Sequence, residues 1–583
     1  MKETDNYLSN NVFRTYLTAG FLSAAAMLFG PLLVRIIAGS LLSAGDLAAI
    51  NLVEPVQRTI NALITLLSSG AIVAATYELS KIDDESASKI FSFSVIACAS
   101  VGIVIAISVL FCQDWIVCSL CKSQELLPLV RNYSRILLLS APFLIMLPTL
   151  SAFISLDGSP KYSYLTIIIS QGLSTGIAFL LIICGHRDIS SIAIATLAGN
   201  ATGCLIGIYY FVRRSIHFKF SFKPVARSKA AEVIRLGVPE TLSPFLDAVL
   251  VFFANAKAVE LYGNSGADVM AVCLSMVYVF AFIIQGFSLT LKPYGSYLVG
   301  MEDIEGYGRF FKKNILLQQL IMGLVLIPMM MLPNQIMEFF GVTSAEASDL
   351  GNIAFPVFVF HYFLCGIIEL YVSSFQILKK ITYCFAIGIS HTIFRIILVL
   401  LFYEVAPDLF WWSYPLGILL GLLVLIICLI IPKLQHRQVM FWTGASFIDA
   451  ISCKVFSIKC TVSDIKKKLT PINEYIHTLD IDDSSRNKCE HCVEEVLLNT
   501  VLFADMQKKE RHSTDIKIIV KDKSVSVIFY DDGICFNPFD NIVPEVDLGL
   551  EMIKKMCPEI SYTYLFRQNI INISIPLEKG LVS

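Results

Sequence analysis

The chain is short of charge. Only 16% of its 583 residues are Asp, Glu, Lys or Arg, while 56% are hydrophobic, and the mean hydropathy is +0.69; a soluble globular domain carries about a quarter charged residues. That shortage excludes an ordinary soluble protein and puts most of the chain in lipid. An excess of either sign is also missing. The net charge of −2 is uninformative until the charges are sorted by segment, because Lys and Arg crowd into particular loops; no nucleic-acid partner is expected. Met1 to Arg14 lacks the charged start, short apolar core and small-residue cleavage site of a signal peptide, so the expectation is that nothing is removed and the first apolar run is a span. A disulfide framework is lacking too, since most of the sixteen cysteines stand alone inside apolar runs, where a thiol acts as a small hydrophobe.

Apolar runs long enough to cross about 30 Å of hydrocarbon lie near 16–38, 52–77, 91–112, 133–155, 163–184, 190–212, 236–259, 269–298, 314–339, 353–378, 383–403 and 411–431. The connections after even-numbered spans hold Lys81 and Lys89, Lys161, the dense set Arg213 to Arg235, Arg309 with Lys312 and Lys313, and Lys379 with Lys380; the opposite connections are poorer, with Lys122, Arg131 and Arg135 the exception. Cytoplasmic loops retain cations, so both ends of the bundle are expected in the cytoplasm. Leu79 to Phe91 recurs in outline as Leu298 to Phe310, and Phe153 to Tyr162 as Phe375 to Tyr383. Both pairs share a similar offset and follow even-numbered spans, which predicts two parallel six-helix repeats, residues 1–212 and 236–442, joined by a basic linker, 213–235. Repeat-built bundles usually place a substrate path between their halves.

After Trp442 the apolar runs shorten and charge rises. Val455 to Cys460, Asp515 to Val520, Val525 to Tyr530, Ile560 to Leu565 and Ile570 to Ile575 are predicted strands, and Asn487 to Met506 and Leu548 to Met556 helices, with Pro471 read as punctuation between elements. The expectation for 443–583 is an α+β domain.

The spans resemble the multidrug and toxic compound extrusion (MATE) family. The residues that carry the likeness are Gly45 to Pro55, Ala152 to Lys161, Ala193 to Thr196, Arg235-Leu-Gly-Val-Pro239 and Lys292-Pro-Tyr-Gly-Ser-Tyr297. The resemblance implies secondary export of a small-molecule substrate through a cavity between two lobes, driven by Na⁺ or H⁺ and coupled by buried acids, because a carboxylate in low dielectric holds a proton or cation readily. Where many relatives carry an acid in the first span, this chain reads Leu33-Val34-Arg35. Asp247 and Glu369 are the coupling candidates, with Glu54 weaker near a helix end; Glu240 lies two turns before Asp247 on a similar face. A structural alternative pairs these acids with Arg35, Arg58, Lys257 or Arg395.

The tail resembles the histidine-kinase-like ATPase superfamily, of the anti-sigma-factor serine-kinase type. Cys492 to Thr500 carries Glu495 and, one turn later, Asn499; Val527 to Pro538 fits an Asp-x-Gly-x-Gly-Phe box in part; Asp547-Leu-Gly-Leu-Glu fits a Gly-x-Gly-Leu box in part. The resemblance implies ATP with Mg²⁺: Asn499 on the metal, Glu495 as general base, Asp531 and Gly533 at adenine, and Gly549 with the following helix N-terminus at phosphate. Cys535 and Asp547 replace glycines of those boxes, which favours nucleotide binding over efficient hydrolysis.

Other signals carry less weight. Cys118-Ser-Leu-Cys121 and Cys489-Glu-His-Cys492 resemble zinc or redox pairs, but they are expected on opposite sides of the membrane. His361 and His391 are read as packing residues, Trp411 and Trp412 as an interfacial belt, and the basic linker as the positive-inside signal or a contact for anionic lipid. The leading expectation is an exporter of amphipathic organic solutes in a bacterial inner membrane, with a nucleotide-binding regulatory tail that could also meet a protein partner. The rivals are a membrane-anchored serine-kinase-like signalling protein and a flippase for lipid-linked precursors.

Overall fold

The computed structural model describes residues 7–577 except 43, 121–125, 186–187, 222, 341, 343, 436–438, 441–444, 447–449, 460, 507–512, 522, 541–547 and 558, and the side chains of Arg35, Glu54 and Arg58 also lie outside the described set. The first lobe comprises α1 (Tyr7–Leu41), α2 (Ala44–Ser80), α3 (Asp84–Leu120), α4 (Leu127–Leu139), α5 (Ala141–Leu156), α6 (Pro160–Ile183) and α7 (Ile189–Arg213). The second comprises α8 (Arg227–Ser275), α9 (Val277–Gly300), α10 (Ile304–Met331), α11 (Pro333–Phe339), α12 (Ala345–Ile377), α13 (Ile381–Val405) and α14 (Ser413–Gln435).

Among the described residues ten apolar helical stretches are long enough to cross a bilayer, and the pair α4 and α5, bent by 46°, supplies an eleventh. One stretch, Arg227–Gly300, runs for 74 residues, whereas a single crossing needs about 20. It breaks at Gly263, whose φ of 61° and ψ of −142° leave helical geometry. The chain turns back there: a Cβ on Gly266 would collide with the carbonyl of Ala258, which a straight helix would hold about 12 Å away. Counted as two crossings, it brings the total to the twelve expected.

The repeat is visible in the backbone. Ile82 and Glu302 both adopt the left-handed conformation, at φ 60° and 59°. The next residue then caps a helix in each lobe: Asp83 Oδ1 accepts from Ser86 N (2.9 Å) ahead of α3, and Asp303 Oδ1 accepts from Gly306 N (2.8 Å) ahead of α10. Gly158 (φ 84°) before α6 and Lys379 (φ 56°) before α13 form a second such pair. Equivalent turns at equivalent places are what the duplicated sequence segments encode.

The lobes meet through glycines. A Cβ on Gly70 of α2 would overlap the Val233 carbonyl of α8, and one on Gly237 of α8 would overlap the Leu66 carbonyl of α2. A Cβ on Gly20 of α1 would lie 2.6 Å from the Gly286 carbonyl of α9, also too close for a side chain. Only hydrogen at these positions lets the backbones cross at such separations, as in other membrane helix pairs.

The tail begins with the short pair β1 (Val439–Met440) and β2 (Ala445–Ser446), then β3 (Ala450–Lys459), α15 (Val462–His477), α16 (Asp483–Met506), β4 (Ser513–Lys521), β5 (Ser524–Asp531), α17 (Leu548–Met556), β6 (Glu559–Leu565) and β7 (Gln568–Pro576). The main sheet is five-stranded, order β3-β4-β5-β7-β6, antiparallel throughout. Alternation divides its two faces. Ile516, Ile518, Val527, Phe529, Ile571 and Ile573 join Ile472, Ile476, Val493 and Val496 of the helices in one core. The intervening Ile519, Ile528, Tyr530 and Ile570 belong to the core of the helical lobes, so the tail docks on the bundle through its second sheet face.

Two expectations are corrected. Pro471 lies inside helix α15, whose N-cap Thr461 accepts from Asp464 N at 3.3 Å; Ile465, Ile472 and Ile476 recur at helical spacing and are buried in the tail's core, and that stripe outweighs the missing N–H of one proline. Trp411 is 2% exposed and stacks on Tyr262 at 6.0 Å, while Trp412 is 43% exposed, so only Trp412 has an outward ring. The basic linker is also partly helical, since α8 starts at Arg227.

Candidate functional site

Midway along the first half of α8, Asp247 Oδ1 accepts from Arg395 NH2 at 2.8 Å and from Thr392 Oγ1 at 3.2 Å, both on α13. The Arg395 side chain is 5% exposed and that of Asp247 45%. Arg395 also donates to Thr392 Oγ1 (2.8 Å), to His361 Nε2 on α12 (3.1 Å) and to the His391 carbonyl (3.3 Å). Two glycines on α14 make room for it: a Cβ on Gly417 would lie 2.5 Å from Arg395 Cγ, and one on Gly421 would lie 2.5 Å from His391 Cβ. Arg395 and His391, one turn apart, thus lie over Gly417 and Gly421, one turn apart on the neighbouring helix.

Glu369 of α12 is on the same side of the lobe. Its carboxylate, Cys365 Sγ one turn earlier and a ring nitrogen of His391 all lie within 4.8 Å of one another. His391 Nδ1 faces the Ile387 carbonyl at 2.9 Å, so it carries the proton and Nε2 keeps its lone pair. The charges that act on Glu369 are Asp247, Glu240, Arg395 and Lys292. Among the described residues three acids thus face two bases, and with all five ionised −3 plus +2 leaves one negative charge to be balanced.

Glu240 is paired with Lys292 of α9. Lys292 also donates to Ser69 Oγ of α2 at 2.8 Å, and Gln376 Nε2 of α12 donates to the same Ser69 Oγ (2.9 Å) and to the Leu236 carbonyl (2.7 Å). Ser69 therefore receives both second-lobe donors across the lobe boundary. Sequence reasoning singled out Lys292 only as part of a motif and missed Ser69 and Gln376; the one available signal was a lysine standing in an otherwise apolar span.

Asp247 and Glu369 are thus brought into one cluster, with Arg395 as the partner of Asp247. Lys257, a second proposed partner, binds Glu260 of its own helix at 2.7 Å. Glu54 is on α2, but its side chain, like those of Arg35 and Arg58, lies outside the described residues.

In the tail, Asp531 Oδ1 accepts from Gly533 N (2.8 Å) and from Asn569 Nδ2 (2.9 Å). Asn569 of β7 also donates to the Ile534 carbonyl (2.9 Å) and accepts from Phe536 N (3.0 Å) and Tyr562 Oη (2.7 Å). It therefore fixes the whole 531–536 loop, a role hidden in the sequence by the apolar strand around it. On α16, Asn499 Nδ2 donates to the Glu495 carbonyl at 2.9 Å. A Cβ on Gly549 would overlap the Glu495 carboxylate, so the anion abuts the first turn of α17, where the dipole favours negative charge. Asp547 lies outside the described residues, and Lys554 Nζ donates to the Phe539 carbonyl at 3.4 Å. Cys492 faces Cys557 (3.9 Å between sulfurs). Cys121, in the other Cys-x-x-Cys, lies outside the described residues.

Comparison with known proteins bears on the helical part. A family model described as MatE matches residues 21–180. Multidrug export protein MepA of Staphylococcus haemolyticus is 28% identical over 277 residues, 47% of this chain and 61% of that protein. MepA of Staphylococcus aureus (strain NCTC 8325 / PS 47) is 26% identical over 253 residues, 43% of this chain and 56% of that protein. The chain thus spans less than two thirds of the length of these curated relatives. A MOP superfamily transporter from Pyrococcus furiosus superposes with a TM-score of 0.67 at 18% identity, over 75% of this chain and 99% of that one. An outward-facing multidrug resistance MATE family transporter gives 0.66 at 19%, over 73% and 96%. The helical part has the polytopic fold of these transporters.

Proposed function

We propose that the chain is a MATE-type exporter of amphipathic organic solutes, coupled to Na⁺ or H⁺ and regulated through its tail, in the cytoplasmic membrane of a bacterium with both ends in the cytoplasm. One arrangement supports the coupling: among the described residues the acids Asp247, Glu369 and Glu240 share a cluster with only two bases, Arg395 and Lys292, and Asp247, though bound to a buried arginine, is nearly half exposed. A group of charges held in lipid and one cation short of neutrality takes up a proton or metal cation, and an accessible member of the group is where exchange begins. The match to MatE at 21–180 and the printed function of the MepA relatives support export of multiple drugs over transfer of lipid-linked precursors. Purified protein in vesicles loaded with ethidium tests this. An imposed Na⁺ or proton gradient is expected to accelerate ethidium movement, and a rate unaffected by either gradient refutes it.

For the tail, the residues present fit a nucleotide in part. Asp531 and Gly533 would hold adenine, Asn499 would hold Mg²⁺, and Gly549, now covered by the Glu495 carboxylate, would admit a phosphate at the start of α17 once that carboxylate withdraws. Bound ATP and Mg²⁺ would supply a phosphoanhydride and its counter-charge. Glu495 occupies the start of α17 and must yield to a phosphate there, which supports sensing over turnover. Titration of the full chain with Mg-ATP is expected to give binding that Asn499→Ala weakens at least tenfold; no binding at millimolar nucleotide refutes the sensing role.

A further inference from the structure

β6 and β7 are joined by a two-residue turn, Phe566-Arg567. Both residues have positive φ, 55° and 61°, the conformation of a type I′ turn that normally takes Asn-Gly because a large side chain strains it. A phenylalanine here needs a compensating contact. Phe566 is 3% exposed although it lies at the tip of a hairpin, away from its own domain's core.

The contact is with both lobes at once. The Phe566 ring lies 5.3 Å from Tyr16 of α1 in the first lobe, and 5.2 Å and 5.1 Å from Tyr294 and Tyr297 of α9 in the second. All three pairs are edge-on, the favoured aromatic geometry. Flanking bonds hold the tail to each side. His217 Nε2, in the linker packed on the first lobe, bonds the Tyr564 carbonyl at 2.9 Å. Lys517 pairs with Asp303 (3.5 Å), and Lys521 with Glu302 (3.4 Å), in the turn between α9 and α10 of the second lobe.

We propose that the β6–β7 hairpin is an autoinhibitory latch: seated between the lobes, it holds them together at the end that carries the tail, and that end opens only when the hairpin withdraws. This rests on the reading of the bundle as two lobes that move apart. The physical argument is simple. Separating the lobes at that end strips Phe566 from Tyr16 or from the α9 tyrosines, because one ring cannot follow both. The tail's boxes then have a mechanical output, since the 531–536 loop is tied by Asn569 to β7, the strand that leaves the latch.

The double substitution Phe566→Asn, Arg567→Gly removes the ring while giving the turn the residues it prefers, so the hairpin and domain keep their fold. Spin labels carried by unnatural amino acids at Lys81 and Lys312, exposed positions near the tail-side ends of α2 and α10, report lobe separation by pulsed dipolar spectroscopy; ethidium efflux is followed in parallel. The population of long distances is expected to rise on the order of tenfold, the loss of two or three aromatic pairs. Faster efflux with that shift supports the latch. The same shift without transport also supports the latch and removes the export reading instead. An unchanged distance distribution overturns the latch whatever efflux does.

Discussion

Neutralising Asp247 separates its structural from its coupling role. In Asp247→Asn the amide oxygen can still accept from Arg395 NH2 and Thr392 Oγ1, now at 2.8 and 3.2 Å, and only the charge is gone. Opposite charges with centres about 4 Å apart attract by about 4 kcal/mol at an effective dielectric near 20. With the Asp247 side chain 45% exposed, water screens the pair, and about 1–2 kcal/mol is the realistic loss. Arg395 keeps His361, Thr392 and the His391 carbonyl, so it is not left bare. The variant is expected to fold and to melt within a few degrees of the parent. The charge count changes decisively: three acids against two bases becomes two against two, and the site no longer calls for a cation. Gradient-driven ethidium efflux from proteoliposomes is expected to fall at least tenfold at unchanged protein content. Parental rates with the parental ion dependence would refute the assignment of Asp247 to coupling.

Three further outcomes are expected. Gly237→Leu places a side chain where the Leu66 carbonyl lies and should destabilise the packing of α2 on α8 by about 1–3 kcal/mol, read as a lower melting temperature, with Gly172→Ala, at a position with open space around it, as the unaffected control. His217 is pushed down by burial but more than restored by the Asp84 carboxylate, the Tyr564 carbonyl and Asp157, so its pKa is raised above the ordinary value. The docked tail therefore takes up a proton, and this contribution is fully present below about pH 6.5 and fades as pH climbs through the raised value. Protection of the 564–568 amides, with the intrinsic base-catalysed exchange rate divided out, should fall over that upper range in the parent, and in His217→Gln should be low and independent of pH. Removing the anion at the start of α17 by Glu495→Gln should tighten Mg-ATP binding roughly fivefold, about 1 kcal/mol of relieved repulsion, measured by calorimetry; weaker binding would mean that Glu495 supports the nucleotide.

The tail shows how local the readable information is. Its five main strands and two of its helices follow from period-two and helical apolar patterns, whereas Pro471 obscures α15, because a helix-breaking residue masks the stripe of isoleucines beside it. Adjacent apolar residues at 518–520 of β4 and 527–530 of β5 put apolar side chains on both sheet faces, without saying what covers the second. The repeat was legible because duplicated segments encode duplicated turns, down to the left-handed residues Ile82 and Glu302. Asp247 and Glu369 were legible as acids in apolar spans, since such residues are costly there.

By itself the sequence determined the solvent, the placing of the apolar helices along the chain and the set of chemically unusual residues, because each is written in composition or in a pattern a few residues long. Only the tertiary structure decided which of those residues meet. Arg395 reaches Asp247 across 148 positions, Ser69 receives Lys292 across 223, and Phe566 lies between tyrosines from both lobes. Such pairings depend on how helices cross and which glycines let them approach, and no local pattern carries that distance.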